Sequence, residues 1–302
     1  MPNAESLIWV AAVTVVIWLG ISAYCLLLDS PRLPPESMQS SVCTRLLPCQ
    51  AGRTRPVCRT LAHVHMELAD LREQVCAANR ELVAAGLVTL SFGNASGVDR
   101  HAGALVIKPS GVAYERLTPA DMVVVALADG QVLEGSLRPS SDTPTHLVLY
   151  RQFPSIGGVV HTHSTFASAW AQAGRPIPCL GTTHADHFRG PVPVTRQLTA
   201  AEIAGDYEAA TGMVIVETLT QLGLDPMHMP AALIASHGPF TWGRSASEAV
   251  TNAVALETVA AMAHRTLALE PRSAEIAEAL LERHFGRKHG AHAYYGQPDD
   301  HA

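Results

Sequence analysis

Lysine is almost absent: Lys108 and Lys288 are the only two in the 302-residue chain. Arginine supplies the rest of the positive charge, no long basic block occurs, and the formal net charge is −6. That balance removes the electrostatic basis for nucleic-acid binding. Cys-x-x-Cys spacing is missing as well. Cys25, Cys43, Cys49 and Cys58 all fall in the first 58 residues, and neither a zinc ribbon nor a redox motif is supported. Cys76 and Cys179 read as reduced packing residues of an intracellular protein. No internal repeat is visible. What the chain has in quantity is apolar residue, 48% against 16% charged, which suffices for a well-buried core in one large domain or two.

Residues Leu7 to Leu28 are 22 consecutive positions without a charge. At about 1.5 Å per residue a helix of that length crosses a hydrocarbon core of roughly 30 Å. The leader before it carries no Lys or Arg and so lacks the basic region of a signal peptide, whereas Arg32, Arg45, Arg53, Arg55 and Arg59 follow it. Two expectations stand side by side. One is a single-pass N-terminal anchor with the rest of the chain cytoplasmic; the other is a stretch appended by a start codon placed too far upstream. Residues 31–60 have no apolar periodicity and read as linker.

Ordered patterning begins further on. From Met66 to Ala85, Leu68, Leu71, Val75, Ala78 and Leu82 recur at three- and four-residue spacing, with Gly86 placed as a C′ residue. This predicts an amphipathic helix and a division into an N-terminal extension, 1–61, and a folded domain, 62–302. Short apolar runs at Leu87–Leu90, Gly103–Ile107, Met122–Leu127 and Ile156–His163 predict strands. Thr143-Pro144 predicts an N-cap and N1 pair opening a helix through Gln152. Thr199–Leu222 and Ala246–Leu267 have helical spacing. Strands interleaved with helices argue for a single α/β sandwich.

The chemistry concentrates in histidine. His161 and His163 lie two residues apart in a strand, and side chains at that spacing project from one face, which makes a preformed bidentate metal site. His237 follows another apolar run, Ala231–Ser236, and Asp142 stands upstream in Ser140-Ser-Asp-Thr-Pro144. Three imidazoles and a carboxylate suit a borderline divalent cation such as Zn²⁺. With 15 histidines in the chain, most must be non-ligands, His146, His184, His284 and His289 included.

Three turns offer backbone amides and hydroxyls: Ser91-Phe-Gly-Asn-Ala-Ser96, Lys108-Pro-Ser-Gly111 and Pro139-Ser-Ser-Asp142. The last precedes a helix N-terminus, where unpaired N–H groups favour an anion. With Lys108 as a point charge, the three together suggest a phosphate cradle, although each alone is an ordinary turn. Asp186, in Thr182-Thr-His-Ala-Asp186, and a tyrosine in Ala293-Tyr-Tyr-Gly-Gln297 are acid/base candidates or plain structural residues.

Taken in order, Phe92-Gly-Asn94, Lys108-Pro-Ser-Gly111, Ser140-Ser-Asp-Thr-Pro-Thr-His146, His161-Thr-His163, Gly181-Thr-Thr-His-Ala-Asp186, Ser236-His-Gly-Pro-Phe240 and Lys288-His-Gly-Ala-His-Ala-Tyr-Tyr-Gly-Gln297 resemble the class II aldolase/adducin family, and within it the branch of pentulose-phosphate 4-epimerases. The resemblance runs from about Met66 to Gln297 and does not touch residues 1–65. It implies a class II aldolase-like sandwich with a central β-sheet flanked by helices, and a homotetramer of fourfold symmetry with active sites at subunit interfaces. By matching motif it implies that Asp142, His161, His163 and His237 bind Zn²⁺ or another divalent cation. Gly93, Asn94, Lys108, Ser110, Gly111, Ser140 and Ser141 would hold the substrate. Asp186 and Tyr295 would be the two acid/base residues, Tyr295 from a neighbouring subunit. Thr182, Glu208 and His284 would stand behind them.

The activity implied is isomerase chemistry: epimerisation of L-ribulose 5-phosphate to D-xylulose 5-phosphate at C4 by retro-aldol cleavage and re-addition, with a place in arabinose catabolism. The rivals are a sugar-phosphate aldolase of the L-fuculose 1-phosphate type, a non-catalytic adducin-like interaction module, and a membrane-anchored binding protein resting on residues 7–28 alone.

Overall fold

The structure is a computed structural model that describes residues 57–290, 293 and 294, with side chains from Leu68 onward. The apolar segment 7–28, residues 31–56 of the proposed linker and Tyr295 lie outside the described residues, whereas residues 57–60 of that linker are helical, because the first helix already begins there.

Seven strands, β1 (Gly93–Asp99), β2 (Ala104–Ile107), β3 (Val123–Ala126), β4 (Val132–Glu134), β5 (Gly158–Thr162), β6 (Ala231–Leu233) and β7 (Pro239–Gly243), form a sheet in the order β4-β3-β2-β1-β5-β7-β6. Every pairing is antiparallel. The helices are α1 (Val57–Ala84), α2 (Thr143–Gln152), α3 (Thr165–Gln172), α4 (Thr182–Ala185), α5 (Ala200–Ala204), α6 (Tyr207–Leu222), α7 (Ala246–Leu269) and α8 (Glu278–His289). None of those described is long and apolar enough to cross a membrane.

Helices α1 and α7 cover one face of the sheet. Val75, Ala78 and Leu82 meet Ala95, Val106, Val160 and Val250 there. Helices α2 and α6 cover the other face, where Leu149, Val214 and Ile215 pack on Leu105, Val125, Val159 and Trp242. This is the expected sandwich, since each element buries one apolar stripe against the layer beside it. Burying a side chain the size of Leu149 or Val159 contributes about 1.5–3 kcal/mol.

The helix expected from Met66 begins at Val57. The same stripe extends upstream in sequence, because Val57, Leu61 and Val64 keep the three- and four-residue spacing of Leu68 and Leu71. Its end matches expectation, with Gly86 at φ +71° after Ala84. The predicted strand at Leu87–Leu90 is not one: that segment is irregular, and Leu90 is exposed at φ +57°. The strand lies instead at β1, within what reads in sequence as a glycine-serine turn.

Its residues defeat the usual alternation because each face is specialised. Asn94 and Ser96 point polar groups toward α2. Gly97 lies so close to α1 that an added Cβ would come 2.8 Å from Leu71. Helix α2 begins one residue earlier than the Thr143 N-cap expected, with Asp142 at the cap position and Thr143 as the first helical residue. The long stretch 199–222 is two helices, broken at Gly205 and restarted by Asp206, whose carboxylate accepts from Ala209 N–H. Strand β5 enters through Gly157 and Gly158, where any Cβ would overlap the backbone of Arg244 and Ser245 at the start of α7.

Candidate metal centre and surrounding site

Strand β5 delivers His161 from its buried run and His163 one step past its end. The tight turn between β6 and β7 delivers His237 beside them. Ser236 holds φ +62°, a left-handed conformation unusual for a non-glycine residue, and its hydroxyl accepts from Gln197 Nε2. That turn brings the three histidines together: one ring nitrogen from each lies within 4.8 Å of the others. His161 Nε2 and His163 Nε2 are 3.0 Å apart. Two nitrogens on one tetrahedral cation at about 2.0–2.1 Å would be about 3.3 Å apart, so the His161–His163 pair fits a metal with little adjustment, and His237 would move in to complete the set.

Protonation is compatible too. His161 Nδ1 is 3.0 Å from the Pro239 carbonyl oxygen, which can only accept, so Nδ1 carries the hydrogen and Nε2 presents its lone pair to the cluster. The His161 ring stacks on Phe240 at 4.3 Å. Burial pushes the pKa values of His161, His163 and His237 below the ordinary histidine value, and in His237 the charge of His163 adds to the effect. All three are therefore neutral donors at neutral pH. The Tyr207 hydroxyl lies 3.2 Å from His237 Nδ1.

Asp142 is not among the ligand atoms gathered within 4.8 Å. Its Oδ2 accepts from Asn94 Nδ2 at 2.6 Å, and its side chain makes no cap bond to α2. Burial works to raise its pKa, but the nearby His161 and His146 imidazoles and the Asn94 bond outweigh it, and the carboxyl is held below its ordinary value. The cap position is thus given over to a charge facing the histidines.

The three turns singled out in the sequence do meet. Ser110 N–H donates to Arg138 O and Ser140 N–H to Lys108 O, both at 2.9 Å, which zips the second turn to the third. Asn94 Nδ2 joins the first turn to them through Ser140 Oγ at 3.0 Å. The Asn94 Oδ1 atom is buried with no hydrogen-bond partner, which is what a ligand-facing acceptor looks like. Lys108 is 2% exposed, and burial lowers its pKa. Ser110, Gly111 and Ser141 are exposed around it.

Asp186 belongs to a different cluster, at the end of α4 against α8. Arg287 grips it with Nε–Oδ1 at 3.0 Å and Nη2–Oδ2 at 2.6 Å, His284 Nδ1 lies 3.1 Å from Oδ1, and His289 Nε2 lies 2.9 Å from its carbonyl. Burial opposes ionisation there, yet the bonds from Arg287 and His284 prevail and hold the carboxyl below its ordinary value. Thr182 opens α4, and the Glu208 carbonyl accepts from Thr145 Oγ1. Arg287 and Tyr207 went unremarked in the sequence. Arg287 stands one helical turn after His284 and next to the Lys288 block, and that spacing was the available signal.

Residues 73–264 match the family described as Class II Aldolase and Adducin N-terminal domain. The chain belongs to the class II aldolase/adducin family. Within this family it is similar to the L-ribulose-5-phosphate 4-epimerase UlaF of Salmonella paratyphi C, with 55% identity over 230 residues, 76% of this chain and 100% of the relative. The class II aldolase fold is seen again in solved structures. An L-fuculose 1-phosphate aldolase aligns at TM-score 0.57 and 22% identity, over 71% of this chain and 94% of its own. The L-fuculose 1-phosphate aldolase of Glaciozyma antarctica aligns at TM-score 0.59 and 21% identity, over 78% and 86%.

Proposed function

We propose that this class II aldolase/adducin protein is a metal-dependent epimerase that interconverts L-ribulose 5-phosphate and D-xylulose 5-phosphate at C4. The observation that carries the reading is the convergence of three neutral imidazoles with a polar cradle containing a buried lysine, in a chain 55% identical to a curated epimerase over that relative's whole length. His161, His163 and His237 would hold the ion, with Asp142 beside them. Bound there, a divalent cation, zinc being the one this donor set suits best, supplies Lewis-acid polarisation of the ketose oxygens.

The carbon bearing the hydroxyl at C4 is not acidic, so its inversion calls for C3–C4 cleavage and re-addition rather than simple proton removal. The chain's residues have three tasks in that sequence. Gly93, Asn94, Lys108, Ser110, Gly111, Ser140 and Ser141 retain the phosphorylated two-carbon aldehyde while it turns. Asp186, kept ionised by Arg287 and His284, takes the proton on one side. Tyr295 serves the opposite side, from a neighbouring copy in a homotetramer with its active sites at the subunit interfaces. The catalytic domain, expected from residue 62, takes in the whole of α1 and so runs from about residue 57 to 302; the residues upstream are an extension that the reaction does not use, and the enzyme acts in the cytoplasm in pentose catabolism of the arabinose type.

The test is to incubate metal-loaded protein with L-ribulose 5-phosphate and follow both xylulose 5-phosphate and free glycolaldehyde phosphate. Isomer without fragments is the expected result. Released fragments would make the chain an aldolase, and no turnover at any metal loading would overturn the catalytic reading.

A further inference from the structure

Tyr114 has no part in the motifs that mark the site, yet it touches two of its turns. It opens the short 3-10 turn Tyr114–Arg116 and is 3% exposed. Its hydroxyl donates to the Gly93 carbonyl at 2.5 Å, and its ring face lies 4.6 Å from Lys108 Nζ.

Each contact meets a need of the site. Gly93 stands at φ +129°, where an added Cβ would come 2.8 Å from the His161 carbonyl oxygen, so the entry to β1 lies directly against the strand that carries His161. Asn94, the next residue, pairs with His161 across the sheet. A bond to the Gly93 carbonyl therefore fixes the peptide from which Asn94 projects. Lys108 has the opposite problem, because burial penalises its charged form. An aromatic face at this distance attracts an ammonium and offsets part of that penalty without supplying an anion that would compete with a ligand. The phenol itself remains a donor, since burial and the charge of Asp142 both raise its pKa.

We propose that Tyr114 is a positioning residue for phosphate binding: its ring seats the Lys108 ammonium while its hydroxyl ties down the Gly93–Asn94 turn, so that both meet the anionic end of the substrate in one geometry. The proposal rests on the assignment of Lys108 and Asn94 to the substrate phosphate. Tyr114 touches no reacting atom, and its loss should weaken binding and spare the chemical step.

The experiment uses full-length Tyr114→Phe, which removes the tie and keeps the ring, and Tyr114→Leu, which removes both. KM and kcat for L-ribulose 5-phosphate are measured on metal-loaded protein, together with bound metal. Inorganic phosphate binding is measured by calorimetry with and without chelator, so that phosphate meeting the ion is separated from phosphate in the cradle. Tyr114→Phe should raise KM and the phosphate Kd about threefold to tenfold, and Tyr114→Leu about tenfold to a hundredfold. In both, kcat should stay within about threefold and metal content should not change. Unmoved phosphate binding in both variants overturns the proposal, as does a fall in kcat and metal with KM unchanged. If Tyr114→Leu fails to fold, Tyr114→Phe decides alone. Wild-type protein that binds phosphate in the cradle but leaves L-ribulose 5-phosphate unchanged would sink the epimerase reading, while the phosphate measurements would still judge Tyr114.

Discussion

The imidazole trio and the Asp186 cluster are both rich in histidine, but the same side chain does opposite things in the two places. Around His161 the sheet and Phe240 exclude water, and burial pushes the ring's pKa down and keeps it neutral. Around Asp186, His284 and Arg287 converge on the carboxylate while His289 holds its backbone carbonyl, and the charge settles on the acid. A histidine in this protein is thus a lone-pair donor where it lies in the sheet layer and a hydrogen-bond partner where it lines α8. The lesson is that neighbours, more than residue type, assign the role.

The contrast can be broken at either end. His161→Ala should have the largest effect, with metal lost and activity reduced more than about a hundredfold. Elemental analysis on the purified variant checks it, and full activity retained after chelation would remove the metal from the account. Asp186→Asn should keep its metal and lose about a hundredfold or more in turnover, and Tyr295→Phe should behave alike. Retained metal with lost turnover is the signature that the two clusters divide the labour.

Arg287→Gln sharpens the comparison further, because it removes the largest bonded influence that lowers the Asp186 pKa. The carboxylate should then protonate at higher pH, and the acid limb of the kcat/KM profile should move upward with a loss of about tenfold near that limb. An unmoved limb would mean that Asp186 is not the group titrating there.

The last comparison concerns stability and not turnover. His146 and His184 are both buried and pushed down to about 4 from 6.5. Between those values the unfolded chain binds more protons than the folded one, so stability is complete above about pH 6.5 and falls as pH approaches 4. Each site contributes about 3 kcal/mol over that interval. Urea midpoints of metal-free protein at pH 7.5 and 4.5 should differ accordingly, and His146→Gln should flatten the slope.

Much of this was readable in the sequence where spacing and geometry coincide. His161 and His163 are two residues apart on a strand, and α2, α7 and the Gly86 terminus follow their patterns closely. What escaped did so for physical reasons. Strand β1 carries Asn94 and Ser96 into a polar site and Gly97 against Leu71, so no apolar alternation marks it. Strand β7 begins on Pro239, directly after the His237 turn. The Arg287 grip on Asp186 spans 101 residues, so spacing along α8 can mark Arg287 but cannot name its partner.

Gly157 and Gly158 bear no reactive group, but their bare backbone lets the start of α7 rest on the strand three residues before His161. A methyl group at either position would have to shift one of those two elements, and the shift would be carried along the chain to the imidazoles. In a library screened only for catalytic output, this pair would therefore score among the most intolerant positions of the molecule and be mistaken for reactive residues. Scoring the same library for folded protein would expose the difference.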